Sequence, residues 1–208
     1  MEIKLDRKKN VLVEAYRGER FGTRETSITN SVPQNLTGYW LKKGSDSEVS
    51  NVGYNNAFMT DYPCVLIRLA DLYLMKAEAW NEYLAVPDEE HVYAPLNEVR
   101  RRAGIPDVKE AWKTYAKNPG KVATKEGMRE IIHREWDIEF AFEGRRFWNL
   151  RRWLTAVDEL NEEQYGWNIV GRNAREFYNN FKEPVMVWAK RKFISPRDYL
   201  FPLQSEEV

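Results

Sequence analysis

Residues 133–153 read HREWDIEFAFEGRRFWNLRRW. Five arginines and four carboxylates sit there among six aromatic rings. A solvated charged helix has no use for so much apolar bulk. On a helical count of about 100° per residue from Ile131, Phe142 falls near 20°, Ile132 near 100°, Trp136 near 140° and Phe140 near 180°. Glu135, Glu139 and Glu143 fall at about 40°, 80° and 120° on the same wheel, inside the apolar arc. His133, Arg134 and Asp137 take the opposite, wetter side.

Three glutamates at i, i+4 and i+8 have successive Cβ atoms about 5–6 Å apart. Unpaired, they would repel one another, and each would lose its hydration. Arginine is the suited partner, because its planar fork bonds both oxygens of a carboxylate. The chain offers Arg68, Arg100, Arg101, Arg102, Arg145, Arg146, Arg151 and Arg152. The expectation is an ionic layer between helices, built from Arg68, Asp71, Glu135, Glu139, Glu143, Arg145, Arg146 and Arg151. The competing reading is a glycosidase carboxylate pair. Such a pair flanks an open cleft and keeps one carboxyl with a raised pKa. Three carboxylates on one face point the same way, and neighbouring arginines depress their pKa values. No catalytic residue is therefore assigned. A tetratricopeptide-like interaction scaffold is the alternative to a binding protein.

Outward from this stretch, residues 63–84 contain no glycine and no interior proline, and read as a first long helix. Val65, Leu66, Ile67, Leu69, Leu72, Tyr73, Leu74 and Trp80 surround its whole circumference, which points to a central helix. Arg68, Asp71 and Glu78 share one side and require partners. A second helix runs from an Asp88 cap to Gly104, after three arginines that complement its C-terminal dipole. Residues 105–121 read as a short helix or loop. A third helix runs from Thr124 to Gly144 and a fourth from about Arg145 to Asn161. Residues 1–60 read as irregular with short strands, part of the same module as the helical region 61–208. The segment after Tyr165 reads as short extended pieces and loops. No βαβ alternation appears, so the fold class is mainly α: tetratricopeptide-like antiparallel helix pairs, irregular loops and a few short strands.

The 208 residues include 32 Lys plus Arg and 32 Asp plus Glu. That balance argues against a nucleic-acid binder. Eight Trp, eleven Tyr and nine Phe favour stacking ligands or protein interfaces. The single Cys64 excludes an internal disulfide and reads as a buried thiol. Only His91 and His133 are available as histidine ligands, and no phosphate-loop, metalloprotease or nucleophile-elbow motif occurs. No metal and no cofactor is expected. No apolar run reaches the length of a membrane span.

Four phrases, in order, carry a resemblance: YPCVLIRLADLYLMKAEAWNEY (62–83), LNEVRRRAGIP (96–106), IIHREWDIEFAFEGRRFWNLRRW (131–153) and PRDYLFPLQSEEV (196–208). Together they resemble the carboxy-terminal region of the SusD/RagB family of Bacteroidota surface lipoproteins. The resemblance implies a helical fold with tetratricopeptide-like pairs and no enzymatic activity. It implies a protein at the outer membrane that binds glycans or peptides and passes them to a SusC-type TonB-dependent transporter. It also implies that the family's amino-terminal half, with its signal peptide and lipid-bearing cysteine, lies outside this chain, so membrane attachment would come only through an anchor the chain lacks. Trp136 stands where the family usually has arginine, and Asn149 where it usually has aspartate.

Family ligand sites lie on variable loops, so ligand residues must come from the residues themselves. Sugars stack on aromatic faces, and the candidates are aromatics in polar, turn-rich sequence: Tyr39, Trp40, Tyr54, Trp112, Tyr115 and Trp167. The competing reading for each is a loop aromatic tucked onto the core. Trp80, Trp136, Phe140, Phe147, Trp148 and Trp153 are expected to pack within the helices.

Overall fold

The computed structural model describes residues 2–6, 9–12, 16–18, 37–41, 43, 65–188 and 191–200. The chain divides into two compact units, residues 62–152 and residues 1–61 with 153–208. The described residues are mainly α-helical.

The first unit holds helices α1 (Leu69–Tyr83), α2 (Ala94–Arg102), α3 (Val108–Tyr115), α4 (Lys125–Glu139) and α5 (Arg145–Arg152). Helix α1 starts later than the apolar run suggests. Asp71 accepts a 2.7 Å bond from the Arg68 backbone N–H, which fixes the entry turn three residues before it. Val65, Leu66 and Ile67 stay outside the helix and exposed. The buried face of α1 is Ala70, Leu74, Ala77 and Asn81, a spacing of three and four residues. Leu69, Leu72 and Met75 are exposed, so α1 is not the enclosed helix its composition suggests.

Asp88 caps a π-helical turn, Glu89–Tyr93, by accepting from the His91 backbone at 2.8 Å. Helix α2 follows directly, and Gly104 takes φ +72 just after it, where a glycine costs least. Asn97 on α2 accepts from the Val108 backbone at 2.9 Å and so anchors the start of α3. Thr124 caps α4 by accepting from Gly127 at 3.1 Å. A Cβ at Gly127 would lie 2.0 Å from the Lys121 carbonyl, so only glycine fits there. The buried face of α4 is Met128, Ile131, Ile132, Glu135 and Trp136.

Ion pairs set the helix directions. Arg68 before α1 meets Glu139 at the end of α4, while Glu82 near the end of α1 meets Arg129 near the start of α4. The two helices are therefore antiparallel. Arg145 reaches Asp71 and Arg152 reaches Glu78, so α5 runs parallel to α1. Arg100 and Arg102 meet Glu135 and Glu139, so α2 runs parallel to α4. The pairs α1/α2 and α4/α5 are therefore each antiparallel.

Helix α4 ends at Glu139, not at Gly144. The chain then turns through Phe142 at φ +64 and Gly144 at φ +76. The expected fourth helix is likewise interrupted: Leu154 takes φ +60 between α5 and α6 (Ala156–Leu160).

The second unit contains α6, α7 (Ala174–Phe177) and two antiparallel strand pairs. Strand β1 (Glu2–Asp6) pairs with β2 (Lys9–Leu12), Ile3 opposite Val11. Strand β3 (Gln164–Gly166) pairs with β4 (Val185–Trp188), Gly166 opposite Val185. The Asn161 side chain donates to the Phe193 carbonyl at 3.0 Å and accepts from its N–H at 2.8 Å, acting as a substitute peptide group. Trp167 donates its backbone N–H to the Thr37 carbonyl at 2.8 Å, and a Cβ on Gly166 would lie 2.6 Å from that oxygen. This close approach docks residues 37–41 against the loop after β3.

Candidate functional site

The carboxylates of residues 135–143 meet guanidiniums from three elements. Glu135 on α4 is buried and bonded to Arg100 of α2. Arg100 also donates to the Pro106 carbonyl at 2.8 Å. Glu139 accepts from Arg68 at 2.6 Å and from Arg102 at 2.7 Å and 2.8 Å. Glu143 lies on the turn after α4 rather than on the helix, yet it takes both Arg68 Nε at 2.9 Å and Nη2 at 3.0 Å. The Arg68 guanidinium also lies 4.3 Å from the Phe140 ring centre. Asp71 pairs with Arg145 at 3.2 Å.

The remaining arginines go elsewhere. Arg146 bonds Asp137 at 2.5 Å, Arg101 bonds Glu98 at 2.5 Å, and Arg152 bonds both oxygens of Glu78 at 2.5 Å and 2.7 Å. Arg151 lies 5.2 Å from the Phe147 ring centre. One electrostatic expectation is overturned. Burial pushes the Glu135 carboxyl above its ordinary range, outweighing the Arg100 charge and hydrogen bond that pull it down. A raised carboxyl pKa fits an acid catalyst only when it borders an open cleft. Glu135 is only 8% exposed and its oxygen is held by Arg100.

Two of the buried polar atoms have no hydrogen bond among the described residues: Trp136 Nε1 and Asn149 Nδ2. Arg152 links the two positions. Its guanidinium lies 5.7 Å from the Trp136 ring centre, and its Nε donates to Asn149 Oδ1 at 3.1 Å.

The aromatic candidates separate by unit. Tyr39 and Trp167 are brought together, with ring centres 6.3 Å apart. Trp167 lies 5.1 Å from Tyr178, and Tyr178 lies 6.3 Å from Phe181 in a stacked arrangement. Tyr39, Trp167, Tyr178 and Phe181 therefore form a row. Tyr39 is 54% exposed, Phe181 is 70% exposed, and Trp40 lies partly exposed beside Tyr39. In the middle of the row, Tyr178 rests on buried Phe177, with ring centres 5.0 Å apart.

Backbone strain accompanies the row. Asn179, Asn180 and Phe181 have φ of 49, 58 and 59, three consecutive left-handed residues without a glycine. Each costs free energy in that region, and such strain concentrates at binding sites. Two side-chain bonds hold the conformation: Asn179 donates to the Glu183 carbonyl at 3.2 Å, and Arg175 donates to Asn180 Oδ1 at 3.2 Å. The residues that sequence reasoning missed are Tyr178 and Phe181. The signal was present in EFYNNFK, aromatics around a polar asparagine pair, a polar setting like the ones that selected Tyr39 and Trp167.

Trp112 and Tyr115 lie in the other unit. They line a cleft of about 570 Å³ at the end of α3 with Ala116, Lys117, Asn118 and Lys121. Tyr54, like Cys64, lies outside the described residues. Trp136 and Phe140 are buried, but Phe147 and Trp148 are exposed on α5, contrary to the packing expected of them. Trp153 lies on the turn after α5, half-buried.

Among the described residues, no three His, Cys, Asp or Glu side chains gather as a metal-ligand set, and no helix is long and apolar enough to cross a membrane. A SusD-like protein of Formosa agariphila is 28% identical over 157 residues, covering 74% of this chain and 28% of that protein. The chain thus spans under a third of the length of that curated relative. The sequence pattern of the SusD family matches residues 8–208, nearly the full length, and the chain belongs to that family.

Proposed function

We propose that the chain is part of a non-catalytic, cell-surface glycan-binding protein that captures oligosaccharide for a SusC-type transporter in the outer membrane. The observation that carries the ligand class is the row Tyr39, Trp167, Tyr178 and Phe181. Tyr39 and Phe181 present exposed faces at the two ends of the row, and such faces suit sugar rings, whose C–H surfaces pack on π-systems while their hydroxyls seek polar neighbours. Asn179, Asn180 and Arg175 supply such neighbours beside Phe181. Membership of the SusD family supports the same reading. Attachment to the membrane would be through a lipid anchor.

The carboxylates support it from the other direction. Glu139 and Glu143 are held by guanidiniums and serve the scaffold. Affinity electrophoresis of the folded chain through gels containing neutral polysaccharides tests the proposal. Retardation by at least one polysaccharide is the expected result. A folded chain retarded by none would overturn it.

A second reading, a tetratricopeptide-like interaction scaffold, is favoured by the exposed apolar side chains Leu66, Ile67, Leu69 and Leu72 at the start of α1. Co-purification from the native host separates the two. Recovery of a TonB-dependent transporter supports uptake, and recovery of helical partners without a transporter supports the scaffold.

A further inference from the structure

The segment 109–125, KEAWKTYAKNPGKVATK, places a lysine at every fourth residue: Lys109, Lys113, Lys117, Lys121 and Lys125. It carries one acid, Glu110, in a chain whose overall charges balance. Three of the lysines are committed. Lys109 pairs with Glu89 at 2.5 Å, Lys121 pairs with Glu130, and Lys125 donates to the Glu82 carbonyl at 2.5 Å. Lys113 and Lys117 have no carboxylate partner among the described residues, and Lys117 lines the cleft with Trp112 and Tyr115.

We propose that this cleft is a second saccharide site, selective for acidic sugars bearing carboxylate or sulfate. The proposal goes beyond the aromatic row, which lies in the other unit and carries no such lysine set. Tyr115 is 78% exposed at the mouth and offers a stacking face. Lys121 Nζ lies 5.7 Å from the ring centre of Trp112, which lines the cleft with it. The Asn118 amide, a lining group, both donates and accepts and so suits hydroxyls. A neutral sugar needs nothing more than these. The surplus ammonium of Lys117, with Lys113 next to Trp112 in sequence, is what a neutral ligand leaves unused and an anionic one pairs with. The open cleft, with about 570 Å³ of space above its lining, can take a ligand of small-molecule size, about 300–1,000 Å³.

Isothermal titration of the 208-residue chain tests this with matched probes: oligogalacturonate against its methyl ester, and a sulfated galactan oligosaccharide against its desulfated form. At least one acidic probe is expected to bind about tenfold or more tighter than its neutral counterpart, and which pair responds distinguishes carboxylate from sulfate. The Debye length is about 10 Å at 0.1 M salt and about 3 Å at 1 M, so that preference shrinks steeply across this range. The double variant Lys113→Gln/Lys117→Gln is expected to lose the preference and keep the neutral affinity. Tyr115→Ala is expected to lose the preference for the acidic probe, while Phe181→Ala keeps that preference. Equal binding of acidic and neutral probes, or a lysine double variant with undiminished preference, would overturn the proposal and leave the aromatic row standing. Acidic binding lost in Phe181→Ala and kept in Tyr115→Ala would assign it to the row instead and overturn the second site.

Discussion

Arg68, immediately before α1, donates to Glu139 at the end of α4 across 71 residues of sequence at 2.6 Å. The same guanidinium takes both oxygens of Glu143 on the following turn. One arginine thus joins the start of one helix to the end of another and to the loop beyond it. This arrangement turns an improbable cluster of charges in apolar surroundings into a device for setting helix direction and register.

Its most buried member is the Arg100–Glu135 pair. Glu135→Ala leaves the Arg100 guanidinium buried without its carboxylate, and breaking such a pair costs about 3–5 kcal/mol. The double variant Arg100→Met/Glu135→Leu removes both charges and is expected to recover most of that loss. Chemical denaturation of the three proteins measures it. A single variant as stable as the parent would deny the pair its structural role.

Asn149 is buried, and its Nδ2 has no hydrogen-bond partner among the described residues. Asn149→Asp removes that orphaned donor and converts the 3.1 Å bond from Arg152 Nε into an ion pair. A gain of about 1 kcal/mol is expected, reduced somewhat by the cost of burying a charge. Thermal unfolding decides: a lower melting temperature would mean that desolvation outweighs the new ion pair.

His133 supplies a pH dependence. Burial lowers its pKa below the ordinary 6.5, with Arg152 and Arg129 pushing the same way and Glu78 and Glu82 opposing. The unfolded chain therefore takes up the proton first. Stability from this group is present above pH 6.5 and is lost as pH falls through the lower folded value. Glu135 works in the opposite sense, since its raised pKa makes the folded state the better proton acceptor as pH falls toward its ordinary 4.5. His133→Gln is expected to flatten the fall in melting temperature between about pH 7 and pH 5.5. An unchanged slope would assign the acid sensitivity to other groups.

Much of the helical scaffold was legible because its periodicities and caps are local. Thr124, Asp88 and Gly104 mark ends that the chain uses. The boundaries that misled share one cause. The apolar pattern continues past each helix end, through Val65–Ile67 before α1 and through Phe142 after α4. What ended the helices was an aspartate three residues inside α1 and left-handed residues at Phe142 and Leu154, conformations that no side chain announces.

The ionic layer was legible as a demand for guanidinium, since buried carboxylates cannot stand alone. Which arginine answers which glutamate was not, because Arg68 lies 71 residues from Glu139 and Arg100 lies 35 from Glu135. The aromatic row was half legible for a similar reason. Each ring sits in a recognisable polar stretch, but the row exists only where segments 37–41, 167–168 and 177–181 converge.

The central claim is that this row grips glycan. Isothermal titration of one oligosaccharide, chosen by gel retardation, into the parent and into Tyr39→Ala/Phe181→Ala tests it most directly. Both side chains are largely exposed, so the double variant should retain its melting temperature. An aromatic stacking contact is worth about 1 kcal/mol, and two together predict a loss of roughly ten- to hundredfold in affinity. Unchanged affinity in a folded double variant would contradict the account.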